Sequence, residues 1–345
     1  MTLTPDQFVR RILIGDVRQR LAELPDASVD CVITSPPYWA LRDYGHPGQI
    51  GAEPTVDAWA EAIAAVCTEL ARVLVPHGSL WLNLGDGFSR HEREGAAKKS
   101  LLLGPQRVAL RLTASGWLLR NQIIWAKPNP TPSSVRDRFT ASHELLFLLT
   151  RQPRYFFDLD PVREPARTAP AGPRRSTART YLSREAVPSL NGGSSPRVDL
   201  NHGLAQMKTT GLASHPLGKS PGDVWIIPTG SYRGAHFATF PLALVRRPLL
   251  TTCPERICAV CDLPWRRTMQ NTGGRQLATG PLTPNCPHRR FRSGRVLDPF
   301  MGAGTVAVAA ETYGRDWVGI ELNEAYAALA QARLADHRAK AAPAA

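Results

Sequence analysis

The sequence predicts an α/β architecture, a mostly parallel seven-stranded sheet of Rossmann-like type with helices on both faces. Three observations carry that expectation. Apolar strand-like runs alternate with segments of helical period over residues 29–150. Residues 294–326 read as strand, glycine-rich turn, helix and strand. The chain of 345 residues has 43% hydrophobic content and eight tryptophans, enough for a sizeable core.

In chain order, "VDCVITS" reads as a strand. "DAWAEAIAAVCTELARVL" sets Trp59, Ile63, Val66, Leu70 and Val73 at alternating steps of four and three, one face of a helix. Pro76-His77-Gly78 is expected to end that helix, and "SLWLNLGD" follows as a buried strand. "GPQRVALRLTASGW" is a second amphipathic helix ending near Gly116; "LLRNQIIWAK" and "HELLFLLTR" are strands. From about 158 to 220 the rhythm stops and Pro, Arg, Ser, Thr and Gly dominate, which predicts a surface insertion. This divides the chain into 1–157, an insertion at 158–222, and 223–345.

The net charge is +13, and its placement matters more than its size. Residues 151–220 hold 11 basic and 5 acidic side chains, and residues 245–295 hold 10 and 2, so these two segments carry the whole excess. Basic charge confined in this way points to a nucleic acid partner. No run approaches the roughly 18 apolar residues of a membrane span, and no signal pattern opens the chain; a soluble, cytoplasmic protein with no membrane partner is expected.

Two stretches carry the chemistry. In "TSPPYW" two prolines stop a strand with a rigid corner and hang a tyrosine from it, where a plain turn would use Gly or Asn. In "DPFMGAGTVAVAAETYGRDWVGIELNEAY" Gly302 and Gly304 let backbone approach a ligand. The helix starting near Thr305 offers free amide donors, and Glu321 ends the next strand, placed to accept from ribose hydroxyls. Taken alone, this unit also fits a dinucleotide fingerprint. An NAD-dependent dehydrogenase, however, would need a second mononucleotide half after the glycines, and Asp298-Pro299-Phe300 is not its usual lead-in.

Thr34-Ser35-Pro36-Pro37-Tyr38-Trp39 together with Asp298-Pro299-Phe300-Met301-Gly302-Ala303-Gly304-Thr305 resembles the S-adenosylmethionine-dependent DNA amino-methyltransferases. The order, catalytic motif first and cofactor motif last, is similar to their β group, with its circularly permuted methyltransferase fold. "GDVRQRLAELPDASVDCVITSPPYW", "IIWAKPNPTPSSVRDRFTASHELLFLLT" and "HFATFP" resemble further blocks of that group. The resemblance implies that Asp16, Phe237, Thr239, Asp298, Pro299, Phe300, Gly302, Gly304, Thr305, Glu321 and Asn323 line an S-adenosylmethionine site. It implies a catalytic corner of Ser35, Pro36, Pro37 and Tyr38, and target recognition by the 158–222 insertion, where Arg174, Arg175 and Arg179 would meet phosphates of double-stranded DNA.

The amine of cytosine or adenine has its lone pair delocalised into the ring, so it must be held in a more tetrahedral geometry to attack. By resemblance the Ser35 hydroxyl and the Pro36 carbonyl accept its two hydrogens, the prolines stiffen that clamp, and Tyr38 stacks on a flipped base. No cysteine nucleophile is needed, because attack is direct. Serine rather than aspartate at the first position is commoner among the cytosine-N4 enzymes, so N4 methylation is expected, with adenine N6 the alternative. A catalytically dead nucleic-acid-binding protein and an RNA substrate are more distant readings. The recognition site, a cognate restriction endonuclease and the oligomeric state are left open.

Six cysteines are too few for a disulfide scaffold. Cys31 and Cys67 sit singly in a strand and a helix and read as core. Cys258-x-x-Cys261 and Cys286-x-His288 have the spacing of a structural zinc site within a small loop at 253–288, with Cys253 in reserve for His288. Zinc is expected to fold this loop and hold its positive charge toward DNA.

Overall fold

A computed structural model describes residues 2–43, 45–46, 48–165, 215, 217–230, 240–272 and 275–341. Its centre is an eight-stranded sheet: β1 (Arg11–Ile14), β2 (Val29–Thr34), β3 (Leu74–Leu84), β4 (Leu118–Ala126), β5 (His143–Thr150), β6 (Val224–Ile226), β13 (Arg295–Asp298) and β14 (Asp316–Glu321). The order is β1-β14-β13-β2-β3-β5-β4-β6. Every neighbouring pair is parallel except those of β5, which runs against both β3 and β4. The sheet thus has one strand more than the seven expected. A three-residue edge strand such as β6 is too short to show a period of its own.

Helices cover both faces. On one side lie α2 (Val17–Glu23), α3 (Val56–Val73) and α4 (Gly104–Ala114); on the other lie α5 (Leu242–Thr252), α6 (Thr305–Thr312) and α7 (Glu324–Ala341); a single turn, α1 (Pro5–Phe8), precedes β1. The alternation of β2 divides the layers, Val32 pointing into the first core and Cys31 and Ile33 into the second. Helix α3 starts where the Thr55 hydroxyl accepts from the Ala58 amide at 3.1 Å, and it buries Trp59, Ile63, Val66, Leu70 and Val73 as its spacing predicts. Each such buried side chain contributes roughly 1.5–3 kcal/mol. Cys31 and Cys67 are buried in these cores.

Two boundaries differ from the sequence reading. Helix α3 ends at Val73, before the Pro76-His77-Gly78 breaker, because Leu74 already has extended dihedrals and opens β3. The breaker lies within that strand, where the pairing with β2 skips a register between Val29 and Cys31 and needs no ladder donor from Pro76. Residues 158–165, expected to begin the insertion, belong to the body: the Asp158 amide donates to the Thr251 carbonyl at 2.8 Å, and Glu164 bridges Lys219. Arg174, Arg175 and Arg179 lie outside the described residues.

Residues 257–292 form a ribbon of three short antiparallel pairs between α5 and β13. They join β7 (Ile257–Cys258) to β12 (Phe291–Arg292), β8 (Arg266–Arg267) to β11 (Leu282–Thr283), and β9 (Gln270–Thr272) to β10 (Arg275–Leu277). The Arg292 guanidinium reaches the fully buried Asp30 carboxylate at 2.7 Å, and the Arg295 amide donates to the same oxygen at 2.8 Å. Asp30 sits near the amino-terminal end of β2. The anchor therefore lies at the opposite end of the strand from Ser35, about 16 Å away along the chain. The anchor ties the ribbon to the amino-terminal end of the strand. None of the helices among the described residues is long and apolar enough to cross a membrane.

Candidate active site

Parallel strands present their carboxyl ends on one edge of a sheet, and ligands of open α/β sheets bind there. Here that edge carries Asp16 after β1, Ser35 after β2, Asn83 on β3, Lys127 after β4, Asp298 on β13 and Glu321 on β14. Because β5 is reversed, its first residues come to the same edge, and Glu144 joins the set. One cavity of about 270 Å³ is lined by Asp16, Ser35, Pro36, Pro37, Tyr38, Pro299, Phe300, Gly302, Thr305, Glu321 and Asn323. Ten residues from two motifs more than 250 positions apart thus share one space with Asp16. Phe237 and Thr239 fall outside the described residues, although Phe240 lines the cavity.

The two motifs are joined directly: the Thr34 hydroxyl donates to Asp298 Oδ1 at 2.8 Å, and the Phe300 amide donates to the same oxygen at 3.1 Å. Asp298 Oδ2 is buried without a partner among the described residues. Burial pushes the Asp298 carboxyl up to about 7, with the Glu321 charge adding to it and the Thr34 and Phe300 donors opposing. Glu321 is likewise raised by burial, against amide donors from Gly302 at 2.7 Å and Asn323 at 2.9 Å. Gly302 and Gly304 have φ of +50° and +75°, and a Cβ on Gly302 would meet nothing within 4 Å. Glycine there keeps the left-handed turn unstrained and its backbone open to the cavity. At the far wall Asp16 caps α2, accepting from the Arg18 amide at 2.8 Å; the Arg18 side-chain hydrogen bonds lower its pKa.

Around the proline corner stands a polar network that sequence reasoning missed. The Tyr38 hydroxyl donates to Glu144 Oε2 at 2.7 Å and lies 3.2 Å from Ser35 Oγ. Asn83 Nδ2 lies 2.7 Å from both the Tyr38 oxygen and Glu144 Oε2, and 3.3 Å from Ser35 Oγ. Glu144 Oε1 pairs with Lys127, whose ammonium stands 4.6 Å from the Trp125 ring centroid. Tyr38 was expected to hang free of the core; instead its ring lies so close over Gly85 that a Cβ there would come within 2.6 Å of it. Trp39 donates to the Glu53 carbonyl at 2.8 Å and packs against the core. The only signal for the network was an isolated Asn83 in "LWLNL", Lys127 in "WAKPN" and Glu144 in "HELLFLL".

The expected metal ligands also assemble, away from this cavity. Cys258, Cys261, Cys286 and His288 bring their ligand atoms within 4.8 Å of one another. Cys253 is buried in the core at the end of α5 and stands outside the group.

Comparison with known proteins gives one picture. The model of a family described as DNA methylase, covering N6 and N4 enzymes, matches residues 29–332. The type II methyltransferase M.SmaI of Serratia marcescens is 33% identical, over 95% of this chain and 91% of its own length. Among solved structures, a PvuII DNA methyltransferase described as cytosine-N4-specific matches with a TM-score of 0.56 at 17% identity, covering 93% of this chain and 85% of that one. A Thermus thermophilus protein described as a DNA modification methylase, solved with S-adenosyl-L-methionine, matches with a TM-score of 0.51 at 23% identity, covering 95% and 93%. At these identities the two structures speak for the fold.

Proposed function

This chain belongs to the N6/N4 DNA methylase family, and on that premise we propose that it methylates the exocyclic N4 amine of cytosine in double-stranded DNA, using S-adenosylmethionine. The observation that carries the reading is the meeting of the Ser35 corner and the Gly302 turn in one cavity, tied by the Thr34–Asp298 hydrogen bond. Serine at the head of the corner supports cytosine over adenine.

The residues fit the cofactor. The partnerless Asp298 Oδ2 suits an ammonium group, Glu321 retains lone pairs for ribose hydroxyls, and the open face of Gly302 admits a ligand against backbone. Pro299, Phe300, Thr305, Asn323 and Asp16 complete the wall, and Phe237 and Thr239 are assigned to it by family resemblance alone. When bound, S-adenosylmethionine supplies an electrophilic methyl carbon on its sulfonium.

The chain's own residues do the rest. A flipped base stacks on Tyr38, and its amine donates to Ser35 Oγ and the Pro36 carbonyl, which turns the nitrogen lone pair out of conjugation. The network sets the direction of Ser35: with Tyr38 donating to Glu144, the Ser35 proton points to the Tyr38 oxygen and its free lone pair faces the amine. Once alkylated, the nitrogen gives a proton to Ser35 Oγ as the Ser35 proton passes to Tyr38 and the Tyr38 proton to Glu144 Oε2. Arg174, Arg175 and Arg179 are assigned to DNA phosphates.

Long-read sequencing of DNA from a methylation-free host expressing the chain tests the reading, because it reports modified base and site together. N4-methylcytosine at one recurring sequence is expected; N6-methyladenine would transfer the same clamp to adenine, and unmodified DNA would overturn the assignment.

A further inference from the structure

We propose that Cys258, Cys261, Cys286 and His288 bind one zinc ion that folds the ribbon of residues 257–292, which Arg292 ties to the sheet.

Geometry comes first. Four ligand atoms around a tetrahedral zinc with bonds of about 2.3 Å to sulfur stand about 3.8 Å apart. Here Cys258 Sγ is 3.5 Å from His288 Nδ1, and all four ligand atoms fall within 4.8 Å of one another. The Val260 amide points at Cys258 Sγ at 3.4 Å, the turn that lets a Cys-x-x-Cys pair offer both sulfurs to one ion while an amide stabilises the thiolate. The turn is closed by the Asp262 amide donating to the Cys258 carbonyl at 3.1 Å. The second pair arrives on the return strand, since the Ala259 amide donates to the Arg290 carbonyl at 3.0 Å and Phe291 stands opposite Cys258.

The ribbon also lacks another way to hold its shape. Among the described side chains between residues 257 and 292 the buried apolar ones are Ile257 and Cys258, whereas Val260, Leu263, Met269 and Phe291 are exposed. Three antiparallel pairs of two or three residues each are too short to stand alone. A closed four-ligand site supplies what the missing core does not. With four protein ligands no position is open for substrate, so the ion is structural, and the anchor at Asp30 keeps it apart from the cavity.

The test uses the full chain, purified without a histidine tag under reducing conditions and analysed by plasma mass spectrometry. About one zinc per chain is expected, falling to less than about a tenth in Cys258→Ser/Cys261→Ser and unchanged in Cys253→Ala. Because the double variant can fail to fold, wild-type protein is also stripped with a chelator and refilled with cobalt(II). One equivalent should give the visible bands of tetrahedral thiolate-bound cobalt, and zinc should displace them. Hydrogen exchange should quicken in 257–292 on stripping and recover on refilling. A metal-free chain that shows no cobalt bands overturns the proposal. So do full zinc retention by the double variant and a disulfide linking two of the three cysteines in the freshly purified protein.

Discussion

The cleft at the carboxyl ends of the strands and the ribbon at their amino ends are built in opposite ways. The cleft borrows its rigidity from the sheet: Ser35, Asn83, Glu144, Asp298 and Glu321 stand at or just beyond the tips of buried strands, so a few letters in the right frame fix their place. The ribbon borrows little, touching the body through Asp30 and Asp158. A side chain in the cleft can therefore be changed for chemistry with modest harm to folding, whereas contacts at the ribbon should affect folding before rate.

That contrast can be broken most sharply at Arg292. Replacing it by alanine leaves the buried Asp30 carboxylate with only the Arg295 amide, and removing one partner of such a pair costs about 3–5 kcal/mol. Denaturant unfolding should show this loss while single-turnover methylation by the folded fraction is kept. A normal unfolding midpoint, or a slow enzyme of normal stability, would dissolve the distinction.

Ser35→Ala is the mirror experiment. Loss of one acceptor that matters when nitrogen rehybridises should lower the single-turnover rate about a hundredfold or more, with melting temperature and cofactor affinity near wild type. Rates within a few-fold of wild type would remove Ser35 from the clamp.

The sequence showed the two poles of this cleft but not what joins them. Ser35 and Gly302 announce themselves because proline pairs and closely spaced glycines are costly anywhere else. Strands β2, β3 and β5 were legible as apolar runs, and α3 as a helical face. Asn83, Lys127 and Glu144 were not, because each is a single polar residue at the end of an apolar strand. Their meeting depends on β5 lying reversed between β3 and β4, a pairing of distant segments that no local pattern encodes. The Asp30–Arg292 anchor is equally non-local.

A smaller effect sharpens the cofactor half. Glu321→Ala removes a charged acceptor worth about 1.5–3 kcal/mol, so the S-adenosylmethionine dissociation constant should rise roughly ten- to a hundredfold in calorimetry. An unchanged constant would move the site elsewhere.

The last expected effect is one of pH. Asp298, with its pKa raised by burial to about 7 from an ordinary 3.8, binds its proton more tightly folded than unfolded. Its contribution to stability is therefore most favourable at the acid end of that window and declines as pH rises through 7. Asp298→Asn should raise the melting temperature of the cofactor-free protein near pH 8, and the gain should shrink toward pH 5. A gain that grows on acidification would refute the sign.

The reversed strand imposes a rule of parity on this chain. Residues 128–141 lie outside the β4–β5 pairing, which the Lys127 amide extends by donating to the Ser142 carbonyl at 2.8 Å, so their number can change without disturbing which β5 residue faces which neighbour. Within β5 the tolerance vanishes. Deleting one residue after Glu144 while keeping the later pairs in place would set His143 opposite Trp125, and alternate side chains would exchange faces. Insertions should accumulate in the connection and not in the strand, with the even-odd count of β5 guarded as closely as the identity of Glu144.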